Sequence, residues 1–521
     1  MSDLSLYKSC LRKIAINLRD GIYKSCHENP LSVMPCKIVN DIMSAALEQQ
    51  QADGFRADDL EQILTSGKLL ELKISHMIKD DRITILQAII KILNFLKYGC
   101  QKLEILYLPR FISASEVFAA KMRSEISEAL RNLLENTPNL KDIHSSFSFD
   151  LKALRNCRKL RRLRLHFEPR QHWFEFLAKE KDHFQTHKYL EFFTICVIDA
   201  SKRIPYDDVA IILQHCPELT SLGFIESSGA LSQLRRMDIS PPELKLRHCC
   251  WRDREYDLAE YPSQSPYHGL HRVREEYPSQ SPYHGLHRVR EAVLNYPTIE
   301  ELDFDGCFSR SIPCLRNLRN LIYLNISLGG DESGSAFTDA LRAIGPQLKH
   351  LSFFTASPMD LSLLLQNCHN LESLRIEANE FTVFANPAVS LPNLQRLTFN
   401  CIHDNGRRVF SLLCDCNELI ELFILDAHYF DDETLHHFLE RNSLSNLKVA
   451  FLPLCGLTEH GFSDLLLNAP QLEKVEIFSS DFRRNHFERV ITKSNHKALC
   501  DGDIVLARDE FFERRRKHDE C

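Results

Sequence analysis

The amino-acid sequence predicts an α/β solenoid: short stacked parallel strands with helices between them, preceded by a separate helical segment. Three observations predict it. An apolar triplet with fixed internal spacing recurs along most of the chain. Its later copies are separated by 23 to 28 residues. Ahead of them lies an N-terminal stretch whose apolar residues recur at helical rather than strand spacing.

The triplet is an apolar residue, two variable ones, an apolar residue, one variable and an apolar residue. It occurs at Leu103/Leu106/Leu108, Leu160/Leu163/Leu165, Leu190/Phe193/Ile195, Leu219/Leu222/Phe224 and Ile299/Leu302/Phe304. It continues at Leu321/Leu324/Ile326, Leu348/Leu351/Phe353, Leu371/Leu374/Ile376, Leu394/Leu397/Phe399, Leu419/Leu422/Ile424, Leu447/Ala450/Leu452 and Leu472/Val475/Ile477, with weaker copies starting at Leu69 and Leu140. From Leu321 onward successive first residues differ by 27, 23, 23, 25, 28 and 25. Alternate residues of a short strand point inward, and a strand this short buries them only against neighbours in a stack. Residues 360–367 and 432–441 are expected as helices in the gaps.

This spacing and period resemble those of leucine-rich repeats, and the resemblance implies a horseshoe solenoid. Residues 452–462, with Cys455, Gly456 and Thr458, resemble the strand, cysteine, turn and helix start of the cysteine-containing repeats. Residues 299–307 and 394–401 resemble its first half. The expected organisation is a helical adaptor-binding segment at 1–50, repeats over 65–480 and a helical tail at 481–521. A loop-like insertion is expected around 240–291, where residues 260–275 are repeated without change at 276–291. The second copy runs into the strand at Ile299 and is expected to supply a repeat helix. The first is expected to be an exposed loop.

The N-terminus carries a second resemblance. Ser5, Leu6, Cys10 and Ile14 stand at the spacing of the BC box, the elongin C-binding helix of SOCS-box and VHL-box proteins. Leu6, Cys10, Ile14 and Leu18 recur every four residues, which suits one helix face. Downstream, Met34, Pro35, Ile38 and Ile42 resemble the cullin-2 box, with Pro35 suited to a first helical turn. The resemblance implies a substrate receptor of a cullin-RING ubiquitin ligase, with elongin C and elongin B as adaptors and cullin-2 as scaffold. Residues 34–47 also resemble the opening of an F-box, which would imply a Skp/cullin-1 ligase. The second half with its buried tryptophan is missing, since the only tryptophans are Trp173 and Trp251. A non-degradative repeat scaffold or inhibitor is the other alternative.

Composition narrows the rest. The chain has 521 residues, 44% hydrophobic, enough for a large core, and a net charge of -7 that gives no electrostatic case for nucleic acid. No secretory signal opens the sequence, and 83–96 reads as an amphipathic helix too short to span a bilayer. The 18 cysteines are scattered and read as small buried residues of a reduced cytoplasmic or nuclear protein. No Gly-rich phosphate loop or metalloprotease motif is present, so neither catalytic residues nor a cofactor are expected. His248 beside Cys249 suggests a metal ligand pair, but neither Cys249/Cys250 nor Cys414/Cys416 has zinc-knuckle spacing, and no metal is expected. His436 and His437 read as exposed helix residues, and the basic run 514–518 as a solvated helix end or a nuclear import signal.

Residues between the buried ones of each strand are expected on the concave surface. There Arg162, Arg164 and His166 form a basic start, and Glu301, Asp303 and Asp305 an acidic row. Phe354, Phe423, Phe451 and Phe478 are expected to hold a protein substrate.

Overall fold

The structure, a computed structural model, describes residues 6–48, 56–74, 82–108, 116–167, 173–180, 183–195, 206–224, 227–236, 244–252, 284–306, 310–329, 333–355, 359–361, 365–378, 381–382, 389–401, 407, 410, 413–425, 429–453 and 455–478. The fold is mixed α/β, and its parallel strands fall into two compact units, which divide near Phe224 and Arg247, with Ile225–Ser232 belonging to the second.

In the first unit, helices α1 (Leu6–Arg19) and α2 (Cys36–Glu48) pack on each other and precede the strands. Among the described residues this unit holds six successive parallel strands: β1 (Glu71–Lys73), β2 (Ile105–Leu108), β3 (Asp142–Ser145), β4 (Arg162–Leu165), β5 (Phe192–Ile195) and β6 (Ser221–Gly223). Helices α3 (Arg82–Leu96), α4 (Glu116–Leu134) and α5 (Tyr206–His215) lie between strands. Ile89, Ile92, Leu93 and Leu96 bury the apolar face expected of the 83–96 segment.

The second unit contributes nine parallel strands among the described residues: β7 (His248–Arg252), β8 (Glu301–Gly306), β9 (Tyr323–Leu328), β10 (His350–Thr355), β11 (Ser373–Ala378), β12 (Arg396–Cys401), β13 (Glu421–Leu425), β14 (Val449–Pro453) and β15 (Lys474–Phe478). Helices α6 (His284–Asn295), α7 (Ser333–Ile344), α8 (Asp432–Leu439) and α9 (Glu459–Asn468) connect them. Asp431 caps α8 by accepting from the Thr434 N–H at 3.0 Å, and Thr458 caps α9 by accepting from the His460 N–H at 3.2 Å.

The triplets account for the core. Leu106, Leu163, Phe193 and Leu222 in the first unit, and Leu302, Leu324, Leu351, Leu374, Leu397 and Leu422 in the second, are buried. One backbone pattern recurs at nearly every step: a single carbonyl accepts from two successive N–H groups at the entry to the next strand. Glu104 O takes Lys141 (2.7 Å) and Asp142 (3.0 Å), and Lys141 O takes Arg161 and Arg162. Ile322 O takes Lys349 (2.9 Å) and His350 (3.0 Å), and Lys448 O takes Glu473 and Lys474. Each repeat therefore enters its strand in the same register, as a stack with leucine-rich-repeat spacing requires.

Five of the buried cysteines share one fixed place that the sequence pattern alone does not assign. Cys100, Cys157, Cys216, Cys368 and Cys416 each stand three residues before the first leucine of a triplet and are buried. There the chain turns, and the carbonyl of Cys100, Cys157, Cys216 or Cys368 accepts from that leucine's N–H. The position is close-packed: a Cβ on Gly345, at the same place in its repeat, would meet the next repeat's Asn367 O at 2.5 Å and Cys368 Sγ at 3.0 Å. Burial pushes the Cys157, Cys368 and Cys416 thiols up to about 12, so they stay protonated and inert.

Two sequence expectations are corrected. Inside the expected insertion at 240–291, β7 is a strand paired in register with β8, and Leu246, Cys249 and Trp251 are buried as a further triplet. A cysteine in the central leucine place, between His248 and Arg252, disguised it. Residues 253–283, with the first duplicated copy, lie outside the described residues, whereas α6 forms where the second copy was expected to be helical. The expected helix at 360–367 opens as a two-residue strand, Met359–Asp360, paired in parallel with Phe381–Thr382. Leu361 and Leu365 are helical and buried, and 362–364 are outside the description. The helix expected at 432–441 is α8. Among the described residues no helix is long and apolar enough to cross a membrane.

Candidate protein-binding surfaces

Helix α1 is anchored by one face and open on another. Leu11, Ala15 and Leu18 are buried, while Leu6 is 81% exposed and Cys10 is exposed. The predicted stripe therefore divides along its length. With 3.6 residues per turn, each step of four advances by about 40° around the axis, so Leu18 lies about 120° from Leu6. Leu6 and Cys10 face solvent, Ile14 is half-buried and Leu18 joins the core. Ser5 lies outside the described residues. The Tyr7 hydroxyl donates to Asp41 Oδ2 at 2.6 Å, tying the exposed end of α1 to α2. That hydrogen bond raises the Tyr7 pKa above its ordinary value, because it is made by the neutral phenol.

The predicted cullin-contact residues separate in the same way. Pro35 is exposed just ahead of α2, and Met34 and Ile38 are half-buried. Ile42 is buried with Val39, Met43 and Ala46, so it belongs to the packed side of α2 and is not a surface contact. Neighbouring Val33, unassigned from the sequence, is 82% exposed.

The second surface is the polar face of the strands in the second unit. Register places its side chains in rows. One row runs Cys250, Asp303, Asn325, Ser352, Arg375, Thr398, Phe423, Phe451, Glu476. Beside it, Asp305, Ser327, Phe354, Glu377 and Asn400 form another. Phe423 and Phe451 are thus neighbours, half-buried, with ring centroids 6.0 Å apart. Phe354 is 43% exposed but stands in the other row, between Ser327 and Glu377. The Phe478 side chain lies outside the description. Glu301, Asp303 and Asp305 share a face as expected, and Glu301 is exposed. Asp303 is engaged within the fold: Oδ2 is 2.9 Å from His248 Nε2, and Oδ1 accepts from Asn325 Nδ2 at 2.8 Å.

The equivalent face of the first unit is also internally committed. Arg162 lies over the Phe192 ring, 5.0 Å from its centroid, and 3.8 Å from Asp142. His144 stands edge-on to Tyr107 at 4.4 Å and stacked on His166 at 4.5 Å. Burial, followed by the neighbouring His166 and Arg164, pushes the His144 pKa down to about 3, so it is neutral at physiological pH.

No protein-family model and no curated protein matches the chain. Among solved structures it is similar to a chain of the Rad7 and Elc1 complex from yeast, at 14% identity over 92% of this chain and 94% of that one, with a TM-score of 0.33. It is also similar to a chain of the TLR13–ssRNA13 complex, at 13% identity over 81% of this chain and 63% of that one, with a TM-score of 0.26. The class of protein is set by the strands themselves: an α/β repeat protein with parallel strands at leucine-rich-repeat spacing, opening on a helical pair.

Proposed function

We propose that this chain is the substrate-recognition subunit of a cullin-RING ubiquitin ligase, binding elongin C through α1 and a protein substrate through the polar face of its repeats. One observation supports the reading above the rest. Leu6 and Cys10 hold the BC-box positions on a helix that is fixed by its opposite face yet presents these two to solvent. An exposed leucine on an anchored helix is ordered before binding, so docking costs little further conformational entropy.

Elongin B would accompany elongin C, and cullin-2 would dock near Met34, Pro35 and Ile38. The chain itself would be no enzyme, ubiquitin transfer falling to the ligase's other subunits, in the cytoplasm, the nucleus or both. On the substrate side, Phe423 and Phe451 offer an apolar anchor and Glu301 an acidic contact that favours a basic segment. A second reading, a non-degradative repeat scaffold, is favoured by the capping role of α2, whose Asn40 closes the first strand.

Co-expression of the full chain with elongin B, elongin C and cullin-2, followed by affinity purification, separates the two. A complex containing all three supports the receptor; recovery of the folded chain without elongin C leaves the scaffold.

A further inference from the structure

His248 and Cys250 are alternate residues of β7 and project to the same face. Register sets Asp303 of β8 directly beside Cys250. The three donor atoms form a small triangle: Nε2 of His248 to Oδ2 of Asp303 is 2.9 Å, Sγ of Cys250 to Nε2 is 3.9 Å, and Sγ to Oδ2 is 3.8 Å. His248 and Cys250 are buried and Asp303 half-buried. Asn325 holds the other carboxylate oxygen, so Oδ2 is the one turned to the histidine and the thiol.

We propose that His248, Cys250 and Asp303 bind a zinc ion, with one coordination position left to an exogenous ligand. Nitrogen, sulfur and oxygen donors in one set are those of zinc, and three protein ligands plus an open position is the arrangement of sites that accept a further group. Tetrahedral zinc with ordinary bond lengths places such donors roughly 3.3–3.6 Å apart. The observed triangle needs shifts of only a few tenths of an ångström: the histidine and carboxylate part slightly and the thiol closes in. Binding releases the thiol proton to solvent and leaves the imidazole proton on Nδ1 in place of Nε2, which gives up its hydrogen bond to Asp303; with a thiolate, a carboxylate and a neutral imidazole the loaded site carries no net charge. The Asn325 contact is the supporting hydrogen bond that ligating carboxylates have. Asp303 stands 53 residues from Cys250, so no local spacing motif reveals the set. The ion would sit on the polar face, in the same row as Phe423 and Phe451.

The test uses the full chain, stripped with a chelator and titrated with cobalt(II), reading thiolate-to-cobalt charge-transfer absorption. We expect saturation at one cobalt per chain, followed by loss of the band when zinc displaces it. Cys250→Ser should abolish the band, His248→Gln and Asp303→Asn should weaken cobalt binding about tenfold or more, and Cys414→Ser should change nothing. Absence of the band in the folded wild-type chain overturns the site, leaving a histidine–carboxylate hydrogen bond beside a thiol. Persistence of the band in Cys250→Ser overturns it too. Folding of each variant is checked by circular dichroism. If Cys250→Ser does not fold, the near-isosteric Asp303→Asn decides, and unchanged cobalt affinity there contradicts the proposal.

Discussion

Asn40 Oδ1 accepts from the Glu71 N–H at 3.0 Å and from the preceding Leu70 N–H at 3.1 Å. In the later repeats those two N–H groups bond to one backbone carbonyl of the strand before, as Glu104 and Ile105 do to Leu70 O. Among the described residues no strand precedes β1, and the side-chain amide oxygen of Asn40 on α2 takes that carbonyl's place. Terminal units of repeat stacks need such a cap, because an exposed strand edge leaves its donors open. Asn40→Ala should lower stability by about 1–3 kcal/mol, the usual penalty for a stranded donor, whereas Asn40→Asp, which keeps the acceptor, should lose less. Chemical denaturation of both variants checks this; equal losses would mean that the cap is not what the side chain supplies.

The two faces of α1 should respond differently to substitution. Leu11→Ala and Leu18→Ala remove buried side chains and should each cost about 2–5 kcal/mol. Leu6→Ala should leave the melting temperature nearly unchanged, since Leu6 is 81% exposed. Thermal melts of the three variants suffice, and a large loss for Leu6→Ala would show that its side chain packs inside the protein.

His187 occupies the turn position that cysteine fills in five other repeats, three residues before Leu190, and it is only 1% exposed. Burial, then nearby Arg158, pushes its pKa down to about 4 from an ordinary 6.5. The fold favours the neutral ring, so its contribution is fully present above pH 6.5 and is lost as pH falls through 4. That linkage is on the order of 3 kcal/mol for a shift of this size. His187→Cys should therefore reduce the acid sensitivity of the protein. Stability measured across pH 4 to 7 should fall less in the variant, and parallel curves would contradict the assignment.

Trp251 is 1% exposed in a segment that the sequence reading placed in an insertion. As the last member of a buried triplet, it should cost about 3–5 kcal/mol when replaced by alanine. A surface loop would show almost no change in a denaturant melt of Trp251→Ala.

The repeats were legible because leucine at three spaced positions stands out against variable neighbours, and the strand register follows from it. Leu246/Cys249/Trp251 obeys the same spacing but hides its central position behind a cysteine flanked by His248 and Cys250. The cysteine turn is also present in the sequence, as a cysteine three residues before Leu103, Leu160, Leu219, Leu371 and Leu419, but taken one at a time these cysteines are scattered and carry no local motif. Asn40 was not legible, because nothing in sequence marks a side-chain amide as the stand-in for a carbonyl. Nor was the commitment of Asp303 to His248 and Asn325, since register across strands brings those three together. On α1 the four-residue spacing suggests one shared face for Leu6, Cys10, Ile14 and Leu18, but its drift around the helix puts Leu18 in the core and leaves Leu6 and Cys10 outside.

Calorimetric titration of the full chain with purified elongin B/C complex tests the receptor reading most directly, with the wild type beside the Leu6→Ala/Cys10→Phe double variant. Saturable one-to-one binding is predicted for the wild type, weakened about a hundredfold or more in the variant while its melting temperature holds. No binding by the folded wild type, or equal affinity in the variant, would contradict it.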